Sequence, residues 1–489
     1  MKSDKKLSVA EALLPSHEDI HTAFVNGGKA VECLIENLIG SLLKIIKELQ
    51  AQTAMNSGNS SKPPSSDGLG KKPRPGSLRE PGKRPNGGQP GHEGHHLKQV
   101  REPDHTVFHR IRRCRHCDAS LRGTSVSGYE RRQVSDVPPV GIGVTEHQAE
   151  VRLCPKCGRR SQAEFPAEVS QPAQYGDSLK ALAVYFSGYH HIPAERTAEI
   201  TEDVFGHRVS DAVVIGSDRE CAAKAEPANE QIRQQITVSA VSGFDETGMR
   251  VGGKTQWLRV ACTPALTYHT VHPKRGPEGI RDAGILPEFQ GIAVHDHWHP
   301  YFSGSDSCSH ALCNAHHLRE LKSVCEQYGQ AWAGELSGLL TEIHREVRKN
   351  RPAADVLPAC RIAESESRYD RLIEEGMSVN PRSEKISGRR GKQKQSPPRN
   401  LLNRLKGKKT EVLRFMYDFR VPFDNNQAER DIRMVRVRQK VSGSFRTQEG
   451  ANIFSEIRGY VSTAEKNAFS VIEAIQRAFE GNPFVPTPA

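Results

Sequence analysis

The chain has 489 residues, a net charge of +11 at pH 7 and an isoelectric point near 9.1. This length predicts about three domains and is sufficient for a sizeable core. The basic balance favours an anionic partner. The longest apolar stretch, residues 31–49, is interrupted by charged residues, and the N-terminus lacks an apolar segment typical of signal peptides. The sequence therefore predicts a cytoplasmic protein without a membrane span.

An apolar seam is the first recognisable pattern. Its residues are spaced alternately by four and three positions: Val31, Ile35, Leu38, Leu42, Ile45 and Leu49. This is an a/d pattern of about three heptads. Two interpretations stay open, a helix packed on its own domain and a short coiled coil that mediates self-association.

A stretch rich in proline, glycine, serine and cations follows at residues 59–96. Such a composition cannot bury enough apolar surface to form a packed core. We expect a linker that contacts DNA phosphates.

Two Cys-x-x-Cys motifs come next, "CRHC" and "CPKC". Their cysteines are Cys114, Cys117, Cys154 and Cys157. Eleven cysteines in a cytoplasmic chain indicate thiols or metal ligands rather than disulfides. Four thiolates suit one tetrahedral Zn²⁺, and the alternating segment between the motifs is typical of a hairpin. We expect a zinc ribbon, because a redox site requires a single Cys-x-x-Cys pair.

Residues 175–235 have a helical pattern interrupted at "FGHRVS". Gly206 is the expected turn and Ser210 the expected N-cap of the following helix. This arrangement resembles a helix-turn-helix, which reads DNA with its second helix. A plain helical connector is the alternative.

From Ile236 the apolar period changes to two, which predicts three strands, with the second and third joined at "GGK". A fourth strand, "GIAVHDHW", follows a short helix. Helices are then expected from His310 to about residue 378 and, beyond a basic loop at 382–399, from Glu411 through 438 and across 450–481. This order is typical of an α/β protein with an RNase H-like core.

Two acidic residues, Asp245 and Asp296, are expected at the ends of the first and fourth strands. Neighbouring parallel strands would bring these carboxylates together, and their repulsion would raise one pKa. Mg²⁺ or Mn²⁺, which prefer oxygen ligands, would relieve that repulsion. Glu246 points to the opposite face of its strand and is a weaker candidate.

Glu429 stands among cations in "VPFDNNQAERDIRMVRVR". One interpretation is an ion pair with Arg433, four residues later on a helix. The other is a third carboxylate for two metal ions about 4 Å apart, which would activate a water or 3′-hydroxyl. Asn425 or Asn426 is expected to cap this helix, and Asp424 is the alternative third ligand.

The cations around Glu429 and in the preceding loop are predicted to hold DNA phosphates. Residues 382–409 contain eleven Lys or Arg against one acid. The predicted contacts are Arg430, Arg433, Arg436, Arg438 and Lys440 on the helix and Arg389, Arg390, Lys392 and Lys394 in the loop.

Several segments together resemble the transposases of the bacterial insertion-sequence 66 family: "NSSKPPSSDG", "GGQPGHEGH", the two cysteine motifs, "FDETGMRV" and "DNNQAERDIR…GSFRTQEGA". The resemblance implies a DDE transposase on an RNase H-like core with a helical insertion between the second Asp and the Glu. It implies Asp245, Asp296 and Glu429 as the triad. It also implies cleavage and strand transfer at terminal inverted repeats without a covalent protein–DNA intermediate.

Two histidine-containing segments are expected to have no metal role. His295 and His297 flank Asp296, and we expect neutral side chains that tune the pocket. "HALCNAHHLREL" resembles a helix of the family and contains Cys313, His316 and His317. A metal site there requires two more ligands that the sequence does not name, so packing is expected.

The predicted organisation combines these segments. The domains are an N-terminal helix or coiled coil at 1–55, a basic linker at 56–100, a zinc ribbon at 101–170, a helical region at 171–236, a catalytic core at 237–450 with a helical insertion at about 310–410, and a C-terminal helix at 451–489. The expected partners are terminal-repeat and target DNA in the nucleoid, further copies at synapsis and accessory proteins of the element. An inactive DNA-binding derivative and an RNase H-like nuclease are the alternatives.

Overall fold

The computed structural model describes residues 15–55, 98–138, 140–303, 307–382, 393 and 395–487. The predicted linker at 59–96 and the loop cations Arg389, Arg390, Lys392 and Lys394 lie outside these ranges. Among the helices of the described ranges, none combines the length and apolarity that crossing a membrane requires.

The N-terminal region forms two helices, α1 (His17–Val25) and α2 (Gly28–Thr53). Ser16 and Asp19 form a capping box that begins α1. Apolar side chains along α2 stay between 42% and 52% exposed: Ile35, Ile39, Leu42, Leu43, Ile46 and Leu49. Three residues of the predicted seam, Ile35, Leu42 and Leu49, are among them, and the coiled coil stays a prediction.

The cysteine region contains one short antiparallel hairpin, β1 (Val151–Leu153) and β2 (Arg160–Gln162). This hairpin flanks the second Cys-x-x-Cys motif. The alternating segment "GVTEHQAEVRLC" forms a strand only in its last part, as β1.

The next region is helical, as predicted. It contains α3 (Asp177–Val184), a π-helical turn (Tyr185–Tyr189), α4 (Ala194–Phe205) and α5 (Asp211–Thr237). Gly206 ends α4 in the left-handed conformation with φ 70°, and Ser210 is the N-cap residue of α5 without a side-chain capping bond. The hydroxyl of Thr201 accepts the N–H of Val209 at 3.0 Å and closes the turn.

The surface of α4 is unfavourable for DNA phosphates. Four acidic side chains on it are exposed: Glu195, Glu199, Glu202 and Asp203. The following helix, α5, packs against α3 through a buried apolar cluster that contains Ala181, Val184 and Ala225. The acidic surface belongs to the first helix, whereas a helix-turn-helix reads DNA with its second, so the DNA-reading motif and the plain helical connector both stay predictions.

The centre of the chain is a five-stranded mixed sheet with the strand order β5-β4-β3-β6-β7. Its elements are β3 (Val241–Val251), β4 (Lys254–Cys262), β5 (Thr267–His272), α6 (Pro277–Asp282), β6 (Ile292–His295) and β7 (Ser309–Leu312). The first three strands are antiparallel, and β6 is parallel to both β3 and β7.

Three details of the sheet differ from the sequence prediction. The "GGK" turn joins the first and second strands, because Gly252 and Gly253 adopt the positive φ angles of a tight hairpin. Asp245 does not end β3, which continues to Val251. His310, predicted to begin a helix, lies in the fifth strand, β7, which is too short to show a period.

A helical insertion follows β7. It contains α7 (Asn314–Tyr328), α8 (Ala331–Asn350), α9 (Ala359–Val379), α10 (Pro397–Gly407) and α11 (Lys409–Tyr417). Its apolar core is continuous with buried residues of β6 and β7, such as Val294 and Leu312. The chain enters and leaves the insertion at neighbouring positions, because the N–H of Asn314 donates to the carbonyl of Phe423 at 3.0 Å.

Three helices complete the chain, α12 (Asn426–Ser442), α13 (Gln448–Lys466) and α14 (Val471–Phe479). The two long C-terminal helices of the sequence prediction are therefore each divided. Pro422 lies in the first break, between α11 and α12. In the second break Ala468 has φ 54°, and Ser470 caps α14.

α12 packs across β3 and β4, with Ala428, Ile432 and Val435 against Met249 and Leu258. A buried ion pair then links this helix to α13. Its Lys466 Nζ–Asp431 Oδ2 distance is 2.7 Å.

Candidate active site

Asp245 and Asp296 lie close to the end of the parallel ladder between β3 and β6. The register pairs Val241 with Ile292 and Gly243 with Val294. Continued by two residues, the same register sets Asp296 beside Asp245. The ladder ends just before this point, so both carboxylates lie where the two parallel strands separate.

The side-chain alternation of β3 separates Asp245 from its neighbour Glu246. Asp245 and Met249 are four residues apart on β3, so their side chains lie on the same face of the sheet. Met249 packs against α12, and Asp245 therefore faces that helix. Glu246 lies on the other face with a side chain 2% exposed. It accepts a hydrogen bond from the Tyr301 hydroxyl and pairs with Arg275 at 2.6 Å. Glu246 is thus satisfied by protein partners.

Burial controls the ionisation of both aspartates. It raises the pKa of Asp245 well above its ordinary value, and the charges of Glu246, Asp296 and Glu429 raise it further. Burial and Glu246 raise the pKa of Asp296 to about 6. Asp296 is thus one of the charges that raise the pKa of Asp245, although burial and the adjacent Glu246 are the larger causes.

Close packing of α12 on β3 positions Glu429. A Cβ on Gly243 would lie 2.6 Å from Asn425 Oδ1, so only glycine allows this approach. The Asn425 amide donates to the Phe244 carbonyl at 2.8 Å, immediately before Asp245. Asn425 holds the N-cap position, but its side chain anchors the helix to the strand instead of capping it.

Glu429 lies in a half-buried pocket between α12 and α7. Its Oε1 has no hydrogen-bond partner among the described residues. The Arg319 guanidinium lies 3.5 Å from this oxygen, and His316 Nδ1 lies 3.8 Å from it. Burial raises the pKa of Glu429. The predicted ion pair with Arg433 is absent from the salt bridges of the described chain.

Glu429 lies close to Cys313 and His316, for which the sequence predicted only a packing role. Ligand atoms of Cys313, His316 and Glu429 all lie within 4.8 Å of one another. The Cys-x-x-His spacing was visible in the sequence. The third member, Glu429, is more than a hundred positions later in the chain, and only the docking of α12 beside the start of α7 identifies it.

The other histidines near the site are neutral, as expected. Burial lowers the pKa of His295 to about 3 and that of His297 to about 4. His295 stacks on Tyr301 with ring centroids 4.7 Å apart. His317 contacts Asn314 Oδ1 at 3.0 Å, which agrees with a packing role.

The predicted DNA-binding cations of α12 fall into two groups. Arg430, Arg433 and Lys440 are exposed. Arg436, in contrast, donates to the Thr247 hydroxyl at 3.1 Å. Arg438 lies over the Phe445 ring at 3.9 Å and donates to a backbone carbonyl. These last two guanidinium groups stabilise the fold.

The two Cys-x-x-Cys motifs have the same backbone conformation. In each, the N–H of the first cysteine, Cys114 or Cys154, donates at 2.9 Å to the carbonyl five residues later. The residue four positions later, Asp118 or Gly158, has a positive φ. Backbone N–H groups lower the pKa of both leading thiols. The two motifs do not bring three sulfur atoms within 4.8 Å of one another in this structure.

The aspartate pair and Glu429 suit divalent cations. Asp245 is a buried carboxyl close to other acids, and Glu429 carries a buried oxygen without a hydrogen bond. Carboxylate oxygens are the ligands that Mg²⁺ and Mn²⁺ prefer. A cation would relieve both the repulsion and the unsatisfied oxygen.

A mixed sheet that places acids beside a helix with exposed arginines is an arrangement suited to DNA-processing enzymes. The family model described as Transposase IS66 family matches residues 172–453, more than half of the chain. The chain therefore belongs to the IS66 transposase family. A second model, a family of unknown function designated DUF6444, matches residues 14–98. A search of the curated proteins gave no match.

Proposed function

We propose that this transposase is a DDE enzyme that cleaves DNA at terminal inverted repeats and transfers the freed ends into target DNA. One observation carries the proposal. The register of β3 and β6, extended by two residues, would set Asp296 level with Asp245, and α12, the helix that carries Glu429, packs on the face of the sheet that Asp245 shares. Family membership supplies the substrate class, DNA.

An RNase H-like core is part of this proposal. Three antiparallel strands are followed by two parallel strands on the other side of the first one, in the order β5-β4-β3-β6-β7. That order and the helical insertion before Glu429 support the assignment. Function is argued from the acids, since one fold serves many chemistries.

Asp245, Asp296 and Glu429 would hold two Mg²⁺ or Mn²⁺ ions. When bound, such a pair supplies an activated water or 3′-hydroxyl and stabilises the leaving oxygen. The protein contributes rigid placement of the three acids, through the strand register and the Asn425 anchor. Arg430 and Arg433, exposed beside Glu429, would hold the phosphates that flank the cleaved bond.

The N-terminal half would recognise and pair the element ends. The lowered pKa of Cys114 and Cys154 favours the thiolates that Zn²⁺ binds, so structural zinc joining the two motifs is retained as a proposal. The exposed apolar face of α2 supports self-association at synapsis.

The decisive experiment measures Mn²⁺-dependent nicking of DNA that carries the flanking ends of the gene. Wild type, Glu429→Gln and the control Glu473→Gln, an exposed glutamate of α14, are compared. We expect Glu429→Gln to abolish nicking while DNA binding stays intact, and the control to behave as wild type.

Each other outcome has a defined meaning. Nicking by Glu429→Gln would remove Glu429 from the triad. Binding without nicking by wild type would favour an inactive DNA-binding derivative. Nicking without joining of a 3′ end to target DNA would indicate a nuclease.

A further inference from the structure

We propose that Cys313, His316 and Glu429 form a second, distinct metal site that takes a transition cation such as Zn²⁺ and withdraws Glu429 from the aspartate pair. The metal-binding part of this inference stands on its own. The regulatory part rests on the proposed function of Glu429.

The geometry of the three ligands is close to that of a zinc site. Zinc bonds of about 2.0–2.3 Å in a tetrahedral arrangement place ligand atoms about 3.3–3.8 Å apart. His316 Nδ1 and Glu429 Oε1 are separated by 3.8 Å, and the Cys313 sulfur lies within 4.8 Å of a ring nitrogen of His316 and a carboxylate oxygen of Glu429. Small side-chain rotations therefore complete the site. Three protein ligands and one water are typical of an open zinc site.

Two of the ligand atoms are buried without a hydrogen bond. His316 Nδ1 and Glu429 Oε1 face each other, and neither has a hydrogen bond within the described part of the chain. Buried polar atoms normally have partners, because an unmade hydrogen bond costs about 1–3 kcal/mol. A cation between these atoms would satisfy both.

The ligand chemistry selects the metal. Sulfur and imidazole nitrogen favour zinc and other borderline metals, whereas Mg²⁺ prefers oxygen. Burial and the Arg319 charge lower the pKa of His316 to about 4, so its ring is neutral and able to bind. Burial raises the pKa of the Cys313 thiol to about 12, and zinc binding would release that proton to solvent.

The site is rigid on both sides. The thiol of Cys313, 1% exposed, accepts the Asn425 N–H at 3.1 Å. The same residue, Asn425, is anchored to β3 by its side chain. Cys313 and Glu429 are thus positioned by one connection, and a cation bound here would engage the carboxylate that the aspartate pair also requires.

Arg319 is the competing cation. Its guanidinium lies 3.5 Å from Glu429 Oε1. With a metal bound, this side chain would have to turn towards solvent, which its partial exposure allows. Arg319→Gln should therefore strengthen metal binding at this site.

The first test measures Co²⁺ binding to the full-length chain by the thiolate-to-cobalt absorption band and by stoichiometry. Cys313→Ser keeps an acceptor for the Asn425 N–H but removes the thiolate. Cys325→Ser, an exposed cysteine of α7, is the matched control. We expect Cys313→Ser to lose one Co²⁺ per chain or to bind it at least about tenfold more weakly.

His316→Gln is a second variant of the same site and does not depend on whether Cys313→Ser folds. It should show the same loss of Co²⁺ binding. Co²⁺ stoichiometry and affinity in Cys313→Ser equal to wild type would overturn the proposal, as would an equal loss in Cys325→Ser. This readout does not depend on catalysis, so failure of the proposed enzyme function is a separate result.

The second test measures inhibition of Mn²⁺-dependent nicking by Zn²⁺, with each variant normalised to its own rate without zinc. We expect the zinc concentration for half-inhibition to rise at least about tenfold in Cys313→Ser. Equal inhibition of wild type and Cys313→Ser would overturn the regulatory part.

Discussion

The contact between Gly243 and Asn425 gives the sharpest structural prediction. A Cβ added at Gly243 would lie 2.6 Å from Asn425 Oδ1, whereas its distances to Cys262 Sγ and Ala428 Cβ would be 3.4 and 3.6 Å. Only the Asn425 contact is a clash. Gly243→Ala should therefore destabilise the core by about 1–3 kcal/mol, as overpacking commonly does.

The double-mutant cycle with Asn425→Ala isolates this contact. Asn425→Ala alone removes the donor to the Phe244 carbonyl and should cost about 1–3 kcal/mol. In that background the added methyl group of Gly243→Ala has room. The double variant should therefore cost less than the sum of the single variants by about 0.5–3 kcal/mol.

The assay compares unfolding midpoints and nicking rates of the four proteins. A destabilisation of about 2 kcal/mol lowers the melting temperature of a region of this size by about 4–8 °C. Glu429 lies one helical turn after Asn425, so a displacement of about 1 Å would slow nicking by about 100-fold. Gly248→Ala on the same strand is the control, because its Cβ meets nothing closer than 3.6 Å. Equal effects of the two alanines, or additive effects in the cycle, would refute the reasoning.

Three further predictions concern pH, zinc and salt. The pKa of Asp296 is raised to about 6. Between about pH 4 and 6 the metal-free folded chain therefore binds more protons than the unfolded chain. The free energy of unfolding consequently falls as pH rises through this window. Mn²⁺ should raise the melting temperature more at pH 7.5 than at pH 5, and a pH-independent increase would contradict this. Cys154→Ser should lower zinc content by about one ion per chain relative to the exposed control Cys33→Ser, and unchanged zinc would disprove a shared site. Glutamine at all four predicted loop cations should make DNA binding less sensitive to salt. The slope of log K against log salt concentration should become shallower by about 0.9 for each phosphate that the variant no longer neutralises. An unchanged slope would show that the loop does not touch DNA. These cations are Arg389, Arg390, Lys392 and Lys394.

The elements with strong local signals were predictable. The helix–turn–helix segment was found because Gly206 is a left-handed C-cap that the sequence marks clearly. The alternating period revealed the long antiparallel strands, since each has two different faces. The element order predicted parallel pairing of the strands that carry Asp245 and precede Asp296, and β3 and β6 are parallel.

Other features depend on contacts that no local pattern contains. β7 was missed because it has only four residues, of which Ala311 and Leu312 are buried, and so short a strand shows no period. The anchoring role of Asn425 was missed because its partner, the Phe244 carbonyl, is distant in sequence. For the same reason the contacts of Arg436 with Thr247 and of Arg438 with Phe445 could not be predicted from the local sequence.

The helical insertion has a consequence for how such enzymes diversify. The chain segments that enter and leave the insertion are hydrogen-bonded to each other: the N–H of Asn314 donates to the Phe423 carbonyl, and the N–H of Asn425 donates to the Cys313 sulfur. The spacing between Asp296 and Glu429 in space is therefore independent of how many residues separate them in sequence. Evolution can lengthen, shorten or exchange the outer helices while the three acids keep their arrangement, which makes the insertion a replaceable module on a fixed chemical centre.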